Sequence, residues 1–479
     1  MRLRTVFAIV GYLLMAVGAV VTAPAILAAL YGKNDAVPLL LSAGITFGSG
    51  FSLSLLRRGG FGDLQARDGF AIVTVGWILV PLFGALPYLL SGALPSIHDA
   101  YFESVSGFTT TGASVFTDVE VLPHGLLLWR SLTHWLGGMG IIVLYIAVLP
   151  MIGAGAMQLF KAEVAGPTKD KLTPRVAGTA RILWGVYMLL TGGEIVLLVV
   201  AGMPLFDAVC HSFATIATGG FSVKNASIGY YDSAAIDGIV TLFMMLSGIS
   251  FALHYAALSG RPRAYGQSEE LKFYLGMYAV AVVAVTVAIA GAEGIGKAFQ
   301  HASFNVASIM SCTGFATADF ALWVPLGQAV LLVLMFPGGC AGSTAGGLKN
   351  MRVWILIKSV LTSMRRLSNP NAVIPLRLDG SSVDKPVLLQ VGGFVLLYLS
   401  TFLLGSLALA GTGLDVLSAV SATATCLAGI GPGLGTVGPM SNYAHLAPLA
   451  KWILDAVMIL GRLEIYTVIV VFSTGFWSE

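Results

Sequence analysis

The sequence predicts an all-α integral membrane protein made of four similar helix–short helix–helix units, and three observations carry that expectation. Of 479 residues, 57% are hydrophobic and only 10% are charged. A soluble domain carries about 25% charged residues, so this chain has too little charge to cover a water-facing surface. Ten apolar stretches reach the ~20 residues that a helix needs to cross a bilayer. Four glycine-centred motifs recur between them.

The apolar stretches fall at about 5–30, 37–56, 70–92, 125–152, 181–203, 235–259, 273–292, 326–361, 386–411 and 446–475. The first follows a basic start, but Val6–Leu30 is too long for the ~7–15-residue apolar core of a signal peptide. It is read as a retained first span. The eighth is interrupted by PGGCAGSTAGG. Five glycines between Gly338 and Gly347, each costing about 1 kcal/mol against Ala in a helix, predict a helix, a loop and a second helix there.

Lys and Arg set the orientation. Arg2, Arg4, Arg57, Arg58, Arg67, Lys161, Lys169, Lys171, Arg175, Arg181, Arg261, Arg263, Lys272, Arg365, Arg366, Arg377 and Lys385 fall on one side, against Lys33, Lys224 and Lys297 on the other. The basic side is the cytoplasm, and both termini are expected there. Four outer connections, at about 93–124, 204–234, 293–325 and 412–445, run to roughly thirty residues, beyond ordinary loop length. Each starts with a half-apolar helical stretch and then turns glycine-rich.

The motifs read FTTTGAS, TIATGGFS, MSCTGFAT and LAGIGPGLG, with central glycines Gly112, Gly219, Gly314 and Gly431 spaced by 107, 95 and 117 residues. Irregular backbone cannot face lipid, because each unpaired N–H or C=O costs several kcal/mol there. Lining a water-filled path, it presents carbonyls that can replace a cation's hydration shell. Glycine supplies backbone angles that a Cβ forbids. The short helix before each motif would aim its C-terminal dipole end at the centre, favouring a cation. The expected ion-binding set is Thr110, Thr111 and Gly112; Ala217, Thr218 and Gly219; Cys312, Thr313 and Gly314; and Gly429, Ile430 and Gly431. Ordinary tight turns would account for one motif but poorly for four.

The interrupted eighth stretch is a gate candidate, with a packing break between helices as the alternative: Gly338, Gly339, Cys340, Ala341, Gly342, Ser343, Thr344, Ala345, Gly346 and Gly347 can sit at membrane depth only if they line a cavity. Arg462 lies mid-span, where a charge needs water or a partner. Carbonyls of the Gly338–Gly347 loop are its expected partners, since Glu464 points to another face; a structural pair with some other acid is the alternative. Asp99, Glu103, Asp207 and Asp415 either draw cations to the mouth or cap helices. His211 and His301 read as packed polar residues. Lys349 and Arg352 read as inner-face positive charge or a docking surface for a cytosolic partner. Cys210, Cys312, Cys340 and Cys426 form no metal-ligand spacing, and no nucleophile–base set points to an enzyme. An alternating-access carrier of a small solute would also have broken helices, but its repeats would be inverted rather than all on one side.

At these four motifs the chain resembles the Trk/Ktr/HKT superfamily of potassium transporters, and within it the TrkH-type subunit. QLFKAEVAGPTKDKLTPR, WRSLTHWLGGMGI, GGCAGSTAGGLKNMR and KWILDAVMILGRLEIYT extend the likeness along nearly the whole length. The resemblance implies potassium-selective uptake across a bacterial inner membrane, with a sodium- and potassium-permeable member as the alternative. It implies four pseudo-symmetric helix–pore-helix–helix repeats around one pore, at 61–155, 156–262, 263–366 and 367–479, preceded by an extra N-terminal helix pair at 1–60. It also implies a homodimer and a ring of cytosolic TrkA-type nucleotide-binding subunits. NAD or ATP would belong to those subunits, since this chain has no phosphate-binding loop. One position departs from the pattern: Gly429 stands where members often carry Asn, leaving only backbone to contribute.

Overall fold

A computed structural model describes residues 3–32, 35–56, 66–147, 176–369, 371 and 374–473. Apart from a hairpin of two-residue strands, Arg377–Leu378 with Ser381–Ser382, the regular structure described is helical. Helices α1 (Leu3–Leu30) and α2 (Ala36–Ser54) form an N-terminal hairpin. Their backbones touch because glycines face each other: a Cβ on Gly11 would lie 2.6 Å from the Gly50 carbonyl, and one on Gly18 2.7 Å from the Phe47 nitrogen. Small residues at a helix crossing are how membrane helices gain van der Waals contact where lipid supplies no hydrophobic drive.

The remaining helices follow a recurring order. Helices α3 (Ala66–Gly84) and α4 (Leu86–Leu90) lead to the short α5 (Ile97–Phe108) and then α6 (His124–Ala147). Helix α7 (Val176–Val200) leads to the short α8 (Leu205–Ile216), then α9 (Ala234–Ser247) and α10 (Phe251–Leu258). After α11 (Arg263–Gln267), α12 (Glu269–Glu293) leads to α13 (Ile295–Met310), α14 (Pro325–Leu334) and α15 (Asn350–Ser368). Helix α16 (Lys385–Gly411) leads to the short α17 (Val416–Ala428), then α18 (Pro448–Arg462) and α19 (Tyr466–Phe472). Among the described residues, six helices are long and apolar enough to cross a membrane, or seven if the bent pair α9–α10 counts as one.

The expected single break at 326–361 is present, between Leu334 and Asn350, but two further segments expected to run straight are also broken. The 235–259 segment bends by 100° between Ser247 and Phe251. There the Gly248 carbonyl accepts the Cys340 N–H at 2.8 Å instead of continuing the helix. The 446–475 segment stops at Arg462 and restarts at Tyr466, with Glu464 at φ +55° and Ile465 at φ +40°. The end of the 125–152 segment and the basic stretch holding Lys161, Lys169 and Lys171 lie outside the described residues.

Why the short helices sit inside the molecule follows from their composition. Every residue of α5 from Ala100 to Phe108 is buried, Glu103, Ser104 and Ser106 included, so this half-polar helix faces protein on all sides. Helix α17 is buried from Ser421 to Ala428 and capped by Asp415, whose carboxylate accepts the Ser418 N–H at 2.9 Å. Two large apolar clusters surround the short helices. One joins the N-terminal hairpin to α5, α6, α17 and α18; the other is built mainly from α9, α12, α13 and α14.

Candidate functional site

Each short helix ends in the same way. After α5, α8, α13 and α17 one residue turns left-handed: Thr110 (φ +54°), Thr218 (φ +56°), Cys312 (φ +58°) and Gly429 (φ +71°). The next N–H reaches back five residues: Thr111 to Ser106 O at 2.9 Å, Gly219 to Ala214 O at 2.8 Å, Thr313 to Ser308 O at 2.9 Å and Ile430 to Thr425 O at 2.8 Å. This is the Schellman closure of a helix C-terminus. Two residues after each left-handed position, φ is positive again, at Gly112 (+81°), Gly220 (+80°), Gly314 (+87°) and Gly431 (+96°).

The four stretches meet in a closed ring. A Cβ on Gly112 would collide with the Gly219 carbonyl, one on Gly220 with the Thr313 carbonyl, and one on Gly314 with the Ile430 carbonyl; one on Gly431 would lie 2.6 Å from the Thr111 carbonyl. First touches second, second third, third fourth, and fourth first. This geometry corrects the register of the second motif. Its equivalent of Gly112 is Gly220, and the triplet is Thr218–Gly219–Gly220. Ala217 keeps right-handed angles as the cap of α8. The Thr-Gly pairing read from the sequence misaligned it because Gly219 occupies the position that Thr111 and Thr313 hold elsewhere.

Side chains behind the ring fix its loops. Thr109 and Thr111 hydroxyls pair at 2.8 Å, as Ser311 and Thr313 do at 2.7 Å, so the middle side chains turn back toward the helix ends. Arg130 binds Glu103 at 2.9 Å and donates to Ser222 O at 3.0 Å, while Glu103 accepts the Val115 N–H at 2.9 Å. One buried ion pair therefore ties the first and second loops. His134 adds a second tie, bonding Gly107 O at 2.8 Å and accepting the Phe221 N–H at 3.1 Å. Tyr443 donates to Gly431 O at 2.7 Å.

The 335–349 loop lies against the helix ends that carry the ring. Thr344 donates to Ile216 O, the last residue of α8, at 3.0 Å. A Cβ on Gly346 would collide with the Ala428 carbonyl at the end of α17. Arg462 donates to Thr344 O at 2.8 Å and to Gly137 O at 3.1 Å, so its guanidinium sits between the loop and α6. Phe251 N–H donates to Gly342 O at 3.1 Å, and Asn350 Nδ2 to Gly338 O at 2.5 Å.

Of the acids expected either to draw cations or to cap helices, only Asp415 is seen as a cap, and the others make different contacts. Asp99 pairs with Lys451 at 2.5 Å, Asp207 accepts from the Tyr231 hydroxyl at 2.7 Å, and Asp415 caps α17. Glu103 is fully buried and does not reach an outer mouth. His211 bonds Ser222 Oγ at 2.9 Å and His301 bonds Thr317 Oγ1 at 3.2 Å. Lys349 and Arg352, 3% and 5% exposed, are not a docking surface: Lys349 donates to Ala345 O and Arg352 pairs with Glu464 at 2.6 Å. Arg130, His134 and Glu270 were missed by sequence reasoning. The first two sit within an apolar span, the same signal that marked Arg462.

The comparisons agree with one another. A family model described as TrkH, cation transport protein, matches residues 43–478. The chain is 40% identical over 485 residues to the Trk system potassium uptake protein TrkH of Escherichia coli strain K12, covering 100% of both. It is 37% identical over 484 residues to TrkG of the same strain, covering 100% of this chain and 99% of the relative. The crystal structure of the potassium transporter TrkH from Vibrio parahaemolyticus superposes with a TM-score of 0.92 at 36% identity, covering 100% of each chain.

Proposed function

The chain belongs to the TrkH family of cation transport proteins, and from that premise we propose that it carries out potassium-selective uptake across a bacterial inner membrane. In this reading the four short helices are pore helices of pseudo-symmetric repeats, and their motifs form one filter. The ring that runs from Gly112 through Gly219 and Gly220, Thr313 and Gly314, and Ile430 and Gly431 back to Thr111 carries the reading. Four backbones that close can offer a cation carbonyls from every side. Carbonyls in such a ring stand in for hydration water, and the helix C-termini behind them add negative potential. The filter set is Thr110, Thr111, Gly112, Thr218, Gly219, Gly220, Cys312, Thr313, Gly314, Gly429, Ile430 and Gly431.

Beneath the filter, the Gly338–Gly347 loop and Arg462 are the gate. The loop is held by discrete hydrogen bonds from several elements, Thr344 to Ile216 O, Cys340 to Gly248 O, Phe251 N–H to Gly342 O and Asn350 to Gly338 O among them, and its glycines let it rearrange with little backbone strain once these break. Arg462 places a positive charge under the ring and holds Thr344. Both termini face the cytoplasm, the chain pairs with a second copy, and TrkA-type subunits carrying NAD or ATP dock on the basic inner face.

Potassium-limited growth of a host lacking its uptake systems tests this function. Native chain rescues growth, and Gly220→Ala and Gly314→Val both abolish rescue while the protein still reaches the membrane. Rescue unchanged by either substitution contradicts the filter.

A further inference from the structure

We propose that Glu270 is the positioning residue that holds the gate loop shut, and that its neighbour Glu269 links this latch to the cytosolic face. The proposal rests on reading Gly338–Gly347 as the gate. Glu270 lies in the first turn of α12, after the cap Ser268, and is 3% exposed. One carboxylate oxygen, Oε1, accepts the Ala341 N–H at 2.8 Å and the Met351 N–H at 2.9 Å. Ala341 is inside the loop, and Met351 is in the first turn of α15. A single oxygen thus clamps the loop to the helix that follows it, through two charge-assisted bonds in a water-poor site, where such bonds are strongest.

Glu269 engages a different set of groups. Its carboxylate accepts the Trp354 Nε1–H at 3.1 Å and pairs with Lys358, both on α15. Its backbone N–H donates to Asp379 Oδ1 at 2.8 Å, in the turn of the strand hairpin, and Lys358 also donates to Arg377 O at 2.8 Å. The ring of Phe273 stacks on Trp354 at 5.0 Å. Adjacent acids at one helix start are therefore divided between the gate loop and the 377–382 hairpin with α15. Displacing the hairpin or α15 shifts the first turn of α12, and with it the oxygen that holds Ala341.

The test is tracer rubidium flux into vesicles of phosphatidylethanolamine and phosphatidylglycerol holding the full chain alone. Glu270→Ala removes the bonds to both Ala341 and Met351 and is expected to raise basal flux at least tenfold, the change that the loss of one charge-assisted bond already brings. Glu270→Gln raises it less, because the amide oxygen still accepts both N–H groups. Lys358→Met shifts flux the same way, and its effect is not additive with Glu270→Ala. The rubidium-to-sodium ratio stays native in all three, which a general loss of packing would not preserve. Thr344→Val, which removes the loop's bond to Ile216, separates the two readings. Flux raised by Thr344→Val but native in Glu270→Ala overturns the latch and leaves the gate. Native flux in both overturns the gate itself. Should Glu270→Ala fail to assemble, native flux in both Glu270→Gln and Lys358→Met overturns the latch.

Discussion

At the scale of single residues, the left-handed positions and the positive-φ glycines make different demands. Thr110, Thr218 and Cys312 hold left-handed angles despite their Cβ atoms, at about 1–2 kcal/mol each. Gly429 relieves that cost in the fourth stretch, and Asn, the other residue that tolerates this region, would do so too. A Cβ there would meet nothing nearer than the Thr109 and Thr110 carbonyls at 3.9 Å. Gly429→Ala is therefore expected to cost about 1–2 kcal/mol in thermal unfolding and to keep transport. Gly431→Ala, whose Cβ would press on the Thr111 carbonyl, is expected to abolish it. Equal flux from both would contradict the ring. The Glu103–Arg130 pair makes a second expectation. Arg130→Met leaves a buried carboxylate unpaired and lowers stability by roughly 3–5 kcal/mol. Adding Glu103→Met recovers part of that loss, measured as the shift of the unfolding midpoint in detergent.

The legibility of these residues varied with how local their cause was. The glycine motifs were visible because their demand on φ is local. The register of TIATGGFS was not, since two adjacent glycines satisfy it equally until the end of α8 fixes the count. Glu270 was invisible because the Ala341 and Met351 N–H groups that it accepts are distant in sequence and carry no side-chain signal.

At the scale of elements, apolar length located six of the ten expected spans, or seven with the bent pair, among the described residues, and the glycine run located the break before Asn350. The bends at Gly248 and at Glu464–Ile465 escaped notice because neither carries a glycine cluster or proline. Both are set by tertiary bonds, Cys340 N–H to Gly248 O in one case and Arg352 to Glu464 in the other. Arg462 belongs to this scale, because it joins α18, α6 and the loop. Arg462→Met removes the bonds to the Thr344 and Gly137 carbonyls and the positive charge beside the loop. It is expected to raise rubidium flux through the chain alone at least tenfold, since a single charge-assisted bond contributes about 1.5–3 kcal/mol and about 1.4 kcal/mol is a factor of ten. Flux at or below native would contradict its place in the gate.

At the scale of the whole molecule, a charge-poor chain closes one ring of backbone shared by four segments. The ring spans contacts between residues more than three hundred positions apart, Thr111 with Gly431. Repeat spacing hinted at that closure, and packing supplied it. The same closure predicts that ions differing in size at equal charge are separated: potassium and rubidium should pass in vesicle flux while sodium and lithium are excluded. The most direct measurement is anomalous diffraction from crystals of the chain grown with thallium(I) in place of potassium. The account predicts a peak on the axis, within coordination distance of the Thr111, Gly219, Thr313 and Ile430 carbonyls. A bound thallium ion elsewhere, with none among those four oxygens, would contradict it.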